Sequence, residues 1–293
     1  MIIVFVFIIG LIFWSFGSVL ISRLSSNKFE KKQFKSIVIW RSHCPKCKKI
    51  LWIENLIPLL SFILQKWKCS YCSQKISTFY PIIELLSWLV FLITYLIFPH
   101  TNYFLLWFWL IINWILLLIM IYDFKKYELH LPIWSMWVVV SLLPQFFNII
   151  WDYQIAFWSS IWLFASFVTI YFWSKAYIKY RYKKDFEWIW FGDVILAFFL
   201  WTLFPFIFQF NNITFDAFNL TQIILVFIFI SAVVWILIRS IKIFIKKNDS
   251  ISKSISKKLN ILESNVIPFL PAMIIWYWIM LFYSDFILNL LFR

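Results

Sequence analysis

Of the chain's 293 residues, 63% are hydrophobic and 14% charged, a balance too apolar for a soluble domain of this length and one that requires several membrane spans. The formal net charge of +14 is accounted for by loop orientation and by attraction to membrane lipid of anionic type, which sets nucleic-acid binding aside.

Apolar runs of about 18 residues or more stand at 1–22, 81–99, 104–122, 132–151, 155–173, 191–210, 221–239 and 266–288. They predict an all-α integral membrane protein, a polytopic bundle of about eight transmembrane helices. The first run begins without a basic flank and continues through Leu20 without a small-residue cleavage site, so it reads as a span and not as a removable signal peptide. Of the 27 Lys and Arg, all but Arg293 lie in the segments 23–80, 123–131, 174–190 and 239–260. With eight spans these four segments share one face, which the positive-inside rule makes cytoplasmic, with the N-terminus outside. The expected organisation is a first transmembrane helix at 1–22, a cytoplasmic segment at 23–80 and a transmembrane domain at 81–293.

All four cysteines lie in that cytoplasmic segment, as Cys44-Pro45-Lys46-Cys47 and Cys69-Ser70-Tyr71-Cys72. Two CxxC pairs at this separation match a four-thiolate zinc site. Disulfides do not persist in a reducing cytoplasm, and metal binding would supply folding energy to a polar segment with little core of its own. Four thiolates fill the coordination shell, so the zinc is structural and not hydrolytic. Redox thiols and unpaired cysteines are the competing readings.

The chain has only 13 acidic residues, and two of them, Asp123 and Asp193, stand at the edges of apolar runs. A carboxylate at a membrane boundary is costly and marks a candidate site. Against this, Asp193 is well placed to cap the helix that follows it, and Asp123 stands near Lys125 and Lys126 as an ordinary boundary charge.

Read in order, these residues resemble the type IV prepilin peptidase family of membrane aspartyl proteases. Ser15-Phe16-Gly17-Ser18-Val19-Leu20-Ile21-Ser22-Arg23-Leu24 is similar to the end of the family's first span. Arg41-Ser42-His43-Cys44-Pro45-Lys46-Cys47, Glu54-Asn55-Leu56-Ile57-Pro58 and Lys68-Cys69-Ser70-Tyr71-Cys72 are similar to its cysteine loop. Ile76-Ser77-Thr78-Phe79-Tyr80-Pro81-Ile82-Ile83-Glu84-Leu85-Leu86 resembles the entry to its second span. Asp123 after Ile121-Tyr122, Asp193 after Phe191-Gly192, and Ile267-Pro268-Phe269-Leu270-Pro271 complete the likeness. The match departs after Asp123, where the family often has an acid following a proline and this chain has none after Pro132.

The resemblance implies that Asp123 and Asp193 form a proteolytic dyad at the cytoplasmic face of a bacterial inner membrane. Two close carboxylates share a proton; one then activates water while the other polarises the scissile carbonyl. The implied substrates are type IV prepilin or pseudopilin precursors with a short basic leader, for which Glu54, Glu84 or Glu187 offers a contact. Gly192 and Glu187 support the second aspartate's motif. The resemblance also implies N-methylation of the new terminus from S-adenosylmethionine, with Lys68 as the residue assigned to methyl transfer. His130 is a candidate neighbour of the site, against the commoner reading of a lone loop histidine as structural or solvated. The alternatives are a zinc-stapled scaffold of a pilus or secretion machine and a transporter in which Asp123 and Asp193 bind a proton or cation.

Tryptophan recurs where this family has glycine. Trp14, Trp67, Trp188 and Trp190 stand at such places, and Trp276 and Trp278 at places filled by small residues. The chain has 20 Trp and 3 Gly, whereas average usage would give about 20 glycines. With the excess of Ile, Phe and Lys, this suggests an AT-rich gene whose UGA codons mean glycine and have been rendered as Trp. An interfacial aromatic belt is the competing explanation; it does not cover Trp88, Trp114 or Trp162 inside apolar runs. Trp52 reads as a genuine tryptophan.

Overall fold

The computed structural model describes residues 2–24, 42–44, 46–57, 60–97, 103–126, 133, 135–140, 153–183, 191–202, 217–244, 269–283 and 287. These are mostly helical, with no β-strand among them and only two isolated bridges. The chain divides into two compact units, Met1–Leu118 and Ile119–Arg293.

In the first unit, α1 (Ile2–Leu24) packs along α3 (Phe79–Ile97). Between them lie a short 3-10 turn, Ile53–Asn55, and the five-residue α2 (Leu60–Leu64). Close approach of α1 to its neighbours depends on its two glycines, since small residues let membrane helices pack backbone to backbone. A Cβ on Gly10 would lie 3.1 Å from Trp88 Cα of α3, and one on Gly17 would lie 2.6 Å from Leu118 Cδ2. The Gly10 carbonyl also accepts a hydrogen bond from Ser87 Oγ at 3.1 Å. Pro81 sits in the first turn of α3, where its missing N–H removes no intrahelical bond.

Helix α4 (Tyr103–Lys126) is apolar around its whole circumference and mostly buried, the pattern of a helix enclosed by others. Its buried Asn113 donates from Nδ2 to Thr94 Oγ1 at 3.1 Å, and Thr94 donates in turn to the Val90 carbonyl at 2.7 Å. Trp114 donates from Nε1 to the Phe13 carbonyl at 3.1 Å and meets the Phe13 ring edge-on.

In the second unit, α5 (Tyr153–Tyr182) packs on α6 (Phe191–Thr202), and α7 (Ala217–Phe244) packs on α8 (Leu270–Phe282), which also touches α6. Phe164 of α5 meets Phe198 of α6 edge-on at 5.8 Å. Pro271 lies in the first turn of α8, the position a proline tolerates best.

Among the described residues, four helices are long and apolar enough to cross a membrane: Tyr80–Ile97, Tyr103–Phe124, Ser160–Arg181 and Gln222–Ile241. They coincide with four of the expected runs. The runs at 1–22, 191–210 and 266–288 contain α1, α6 and α8. Of 132–151, residues 135–140 are helical and 141–151 lie outside the described residues. The sequence reading treated 174–190 as a basic loop, but α5 continues to Tyr182 through Lys175, Lys179 and Arg181. Basic residues suit a helix C-terminus, where the macrodipole is negative, so charge here does not end the helix.

Candidate active site and metal centre

The two CxxC pairs fold as near copies of one turn. The Cys44 N–H donates to the Lys49 carbonyl at 3.0 Å and the Lys48 N–H to the Cys44 carbonyl at 3.0 Å; Cys69 with Gln74 and Ser73 with Cys69 repeat this at 2.9 Å each. A bridge closes each turn, His43 with Ile50 and Lys68 with Lys75. The residue after each second cysteine takes a left-handed φ, 58° at Lys48 and 54° at Ser73. Spacing alone gave the cysteines but not this backbone requirement. Lys46 Nζ donates to Gln74 Oε1 at 2.9 Å, joining the two turns, and Ser70 Oγ donates to Asn55 Oδ1 at 2.9 Å.

The outcome is a set of four thiols, Cys44, Cys47, Cys69 and Cys72, whose Sγ atoms all lie within 4.8 Å of one another. Cys44 Sγ and Cys72 Sγ are 3.8 Å apart. A disulfide needs about 2.05 Å, whereas a tetrahedron with metal–sulfur bonds of about 2.3 Å has edges of about 3.8 Å. The cysteines are free thiols arranged so that they could bind a metal ion. Their protons are unevenly held. The Cys47 backbone N–H, outweighing burial, lowers the Cys44 thiol to about 6. At Cys72 the Gln74 N–H favours the thiolate, but burial and hydrogen bonding among Cys69, Cys47 and Cys44 push the thiol up to about 11. One thiolate thus serves several neighbouring thiols, a charge arrangement a divalent cation would complete.

Lys68 is exposed beside the second turn, and its described neighbours Lys66, Trp67, Ser70, Tyr71, Ser73, Gln74 and Lys75 are exposed as well. Glu84 is half-buried on α3, and Glu54 is exposed on the 3-10 turn.

In the second unit Asp123 lies in the last turn of α4 and Asp193 in the first turn of α6. Both are buried, at 5% and 6% exposure, and the charge of Asp193 acts directly on Asp123. Asp123 Oδ2 is buried without a hydrogen-bond partner. Asp193 takes the helix N-terminal position that favours a negative charge, so the capping reading and the site reading are compatible. Gly192 precedes it within the same helical turn. Glu187, Trp188, Trp190 and His130 lie outside the described residues.

These features define a helical membrane protein with a cluster of four thiols that could hold a metal ion in its N-terminal unit and two buried aspartates in the other. Residues 8–98 match the bacterial peptidase A24 N-terminal domain. The chain is 43% identical over 68 residues to the type 4 prepilin-like proteins leader peptide-processing enzyme of Escherichia coli O78:H11, covering 23% of this chain and 25% of that protein. It is 43% identical over 89 residues to the prepilin leader peptidase/N-methyltransferase of Myxococcus xanthus, covering 30% and 24%. The enzyme of the same name from Vibrio cholerae is 46% identical over 80 residues, covering 27% and 31%. It is by this N-terminal region, residues 8–98, that the chain is similar to the A24 peptidases. The matched stretches span about a quarter to a third of the length of these relatives. No solved structure matches the chain.

Proposed function

We propose that this protein is a prepilin leader peptidase: a membrane aspartyl endopeptidase that removes the short basic leader of type IV prepilins and pseudopilins. The observation that carries the reading is the burial of Asp123 and Asp193 within reach of each other's charge, in a chain whose N-terminal region is that of the A24 peptidases. One carboxylate takes a proton from water and the other, protonated, donates to the scissile carbonyl. The unpartnered Oδ2 of Asp123 is an acceptor available for that water. Burial at helix ends keeps bulk solvent from competing for the dyad. Glu187 and Gly192 belong to the approach to Asp193, and Glu54 and Glu84 are offered to the basic leader.

The supporting architecture comprises about eight spans in the bacterial inner membrane, N-terminus outside, with the basic segments and the dyad at the cytoplasmic face. Its organisation is a first helix at 1–22, the metal-binding segment at 23–80 and the peptidase domain at 81–293. Cys44, Cys47, Cys69 and Cys72 hold zinc as a structural staple, a reading supported by their spacing and thiol chemistry. Methylation of the new N-terminus with S-adenosylmethionine is supported by the relatives' names, with Lys68, in the motif position beside Cys69, as the residue assigned to it.

The test is a membrane-embedded enzyme mixed with a candidate precursor, followed by N-terminal mass. Leader loss with the wild type and none with Asp123→Asn or Asp193→Asn is expected; unchanged cleavage in both variants rejects the dyad. A further methyl increment reports the transferase. A scaffold or a cation-coupled transporter would release no leader.

A further inference from the structure

Position 67 is the least comfortable backbone site for its written residue. Helix α2 closes with the Lys66 N–H donating to the Ile63 carbonyl at 3.0 Å and the Trp67 N–H to the Phe62 carbonyl at 3.1 Å. That pair of bonds is the Schellman arrangement, which reverses the chain by left-handed residues. Lys66 and Trp67 both have positive φ, 48° and 67°. Lys48, Ser73 and Lys183 share that region, but none of them carries an indole. A bulky side chain there is a true outlier, because its Cβ crowds the carbonyl that glycine leaves free. The turn is also functional in position: the Trp67 carbonyl accepts from the Ile76 N–H at 2.8 Å, and Cys69 follows two residues later.

A second tryptophan is anomalous for a different reason. Trp276 is buried on α8, and its Nε1–H has no hydrogen-bond partner. Buried indoles usually find one, as Trp114 does with the Phe13 carbonyl. One anomaly is backbone and the other side chain, and both fall in a chain with 20 Trp and 3 Gly.

We infer that positions 67 and 276 are glycine in the protein its own cell makes, read from UGA codons, and that glycine 67 is a positioning residue for the metal module. Trp114, whose indole is satisfied, is a true tryptophan on the same criterion. At position 67 a glycine removes the Cβ penalty from the turn that sets the second cysteine pair. Loss of the ring costs little, since Trp67 is 57% exposed; its ring stacks on Phe62 at 5.4 Å between centroids.

Two measurements test this, and neither depends on peptidase activity. The gene should carry TGA at codons 67 and 276 and TGG at codon 114, and peptides from native membranes should have the mass of glycine at 67 and 276. TGG codons or tryptophan masses at those two positions overturn the inference. For the positioning role, zinc retention against a competing chelator is compared in the full chain as written, W67G and W67A. Glycine should tighten retention by about tenfold. Alanine keeps the Cβ and should not reproduce the gain; equal retention in all three, or equal gain in alanine and glycine, overturns that role.

Discussion

Exchanging Cys72 for serine should dismantle the proposed metal centre, and the size of the effect follows from how few of the module's described side chains are buried. Among the described residues from 42 to 76, only Cys44 and Cys69 are buried. Burial of two small side chains supplies about 2 kcal/mol in all, from about 0.8 kcal/mol per buried methylene-sized group. A structural zinc contributes about 10 kcal/mol or more, so a bound zinc would dominate the local stability. The 3.8 Å spacing between Cys44 Sγ and Cys72 Sγ is the edge of a tetrahedron with bonds of about 2.3 Å. Zinc absorption spectroscopy on the purified wild type should therefore show four sulfur neighbours at about that distance, with one zinc per chain. Cys72→Ser should lose most of its zinc on dialysis, and protease should then cut between residues 42 and 76. Full zinc retention with a four-sulfur shell in the variant would refute the assignment.

Asp123→Asn and Asp193→Asn should each abolish leader cleavage while leaving helical content and detergent melting intact, read by N-terminal mass and circular dichroism. Gly17→Ala gains about 1 kcal/mol of helix propensity but places a Cβ 2.6 Å from Leu118 Cδ2. Overpacking of about 1–3 kcal/mol should win, lowering the melting temperature; Gly17→Ala with Leu118→Ala should show less than additive loss, and full additivity counts against the contact. Thr94→Val removes the acceptor of Asn113 Nδ2 and should cost about 1–2 kcal/mol by thermal melting. In metal-free protein, Cys44 is shifted down from 9.0 to about 6, so its contribution is full above pH 9 and lost as pH falls through 6. Cys72 is shifted up to about 11, so its contribution is full below pH 9 and lost as pH rises through 11; protease resistance of the loop should peak near pH 9. With zinc bound, acid should release the metal, because protons compete for the thiolates.

Hydropathy located the long helices well because a span must be apolar over a length the bilayer sets, and that signal does not depend on partners. It misplaced the end of α5, where Lys175, Lys179 and Arg181 stay helical to Tyr182. Helix termination is a backbone matter, and no glycine or proline occurs at that point to impose it. The cysteine spacing disclosed the four-thiol cluster, but not that Lys48 and Ser73 would take left-handed φ or that Lys46 would reach Gln74. Those depend on the folded turn and not on residue type. For the aspartates, residue cost in an apolar setting singled out Asp123 and Asp193; that they lie 70 residues apart in sequence and still interact is a property of helix packing that periodicity does not encode.

On the proposed reading, the two sites would hold their side chains in place by different means. The cysteine module hangs between α1 and α3, which pack on each other through Gly10 and Ser87, so its ends are tethered without its interior being filled. A four-thiolate ion can substitute for the missing core there because exposed backbone turns present all four sulfurs to one point. Asp123 and Asp193 instead sit buried at helix ends, in segments whose neighbours Ile121, Val194 and Leu196 are buried as well. A carboxylate in that setting keeps its geometry through packing, and under the proposed dyad the orphaned Oδ2 of Asp123 is the acceptor capacity a water-activating group would require. Filling it with a structural hydrogen bond should then stabilise the fold and abolish leader cleavage.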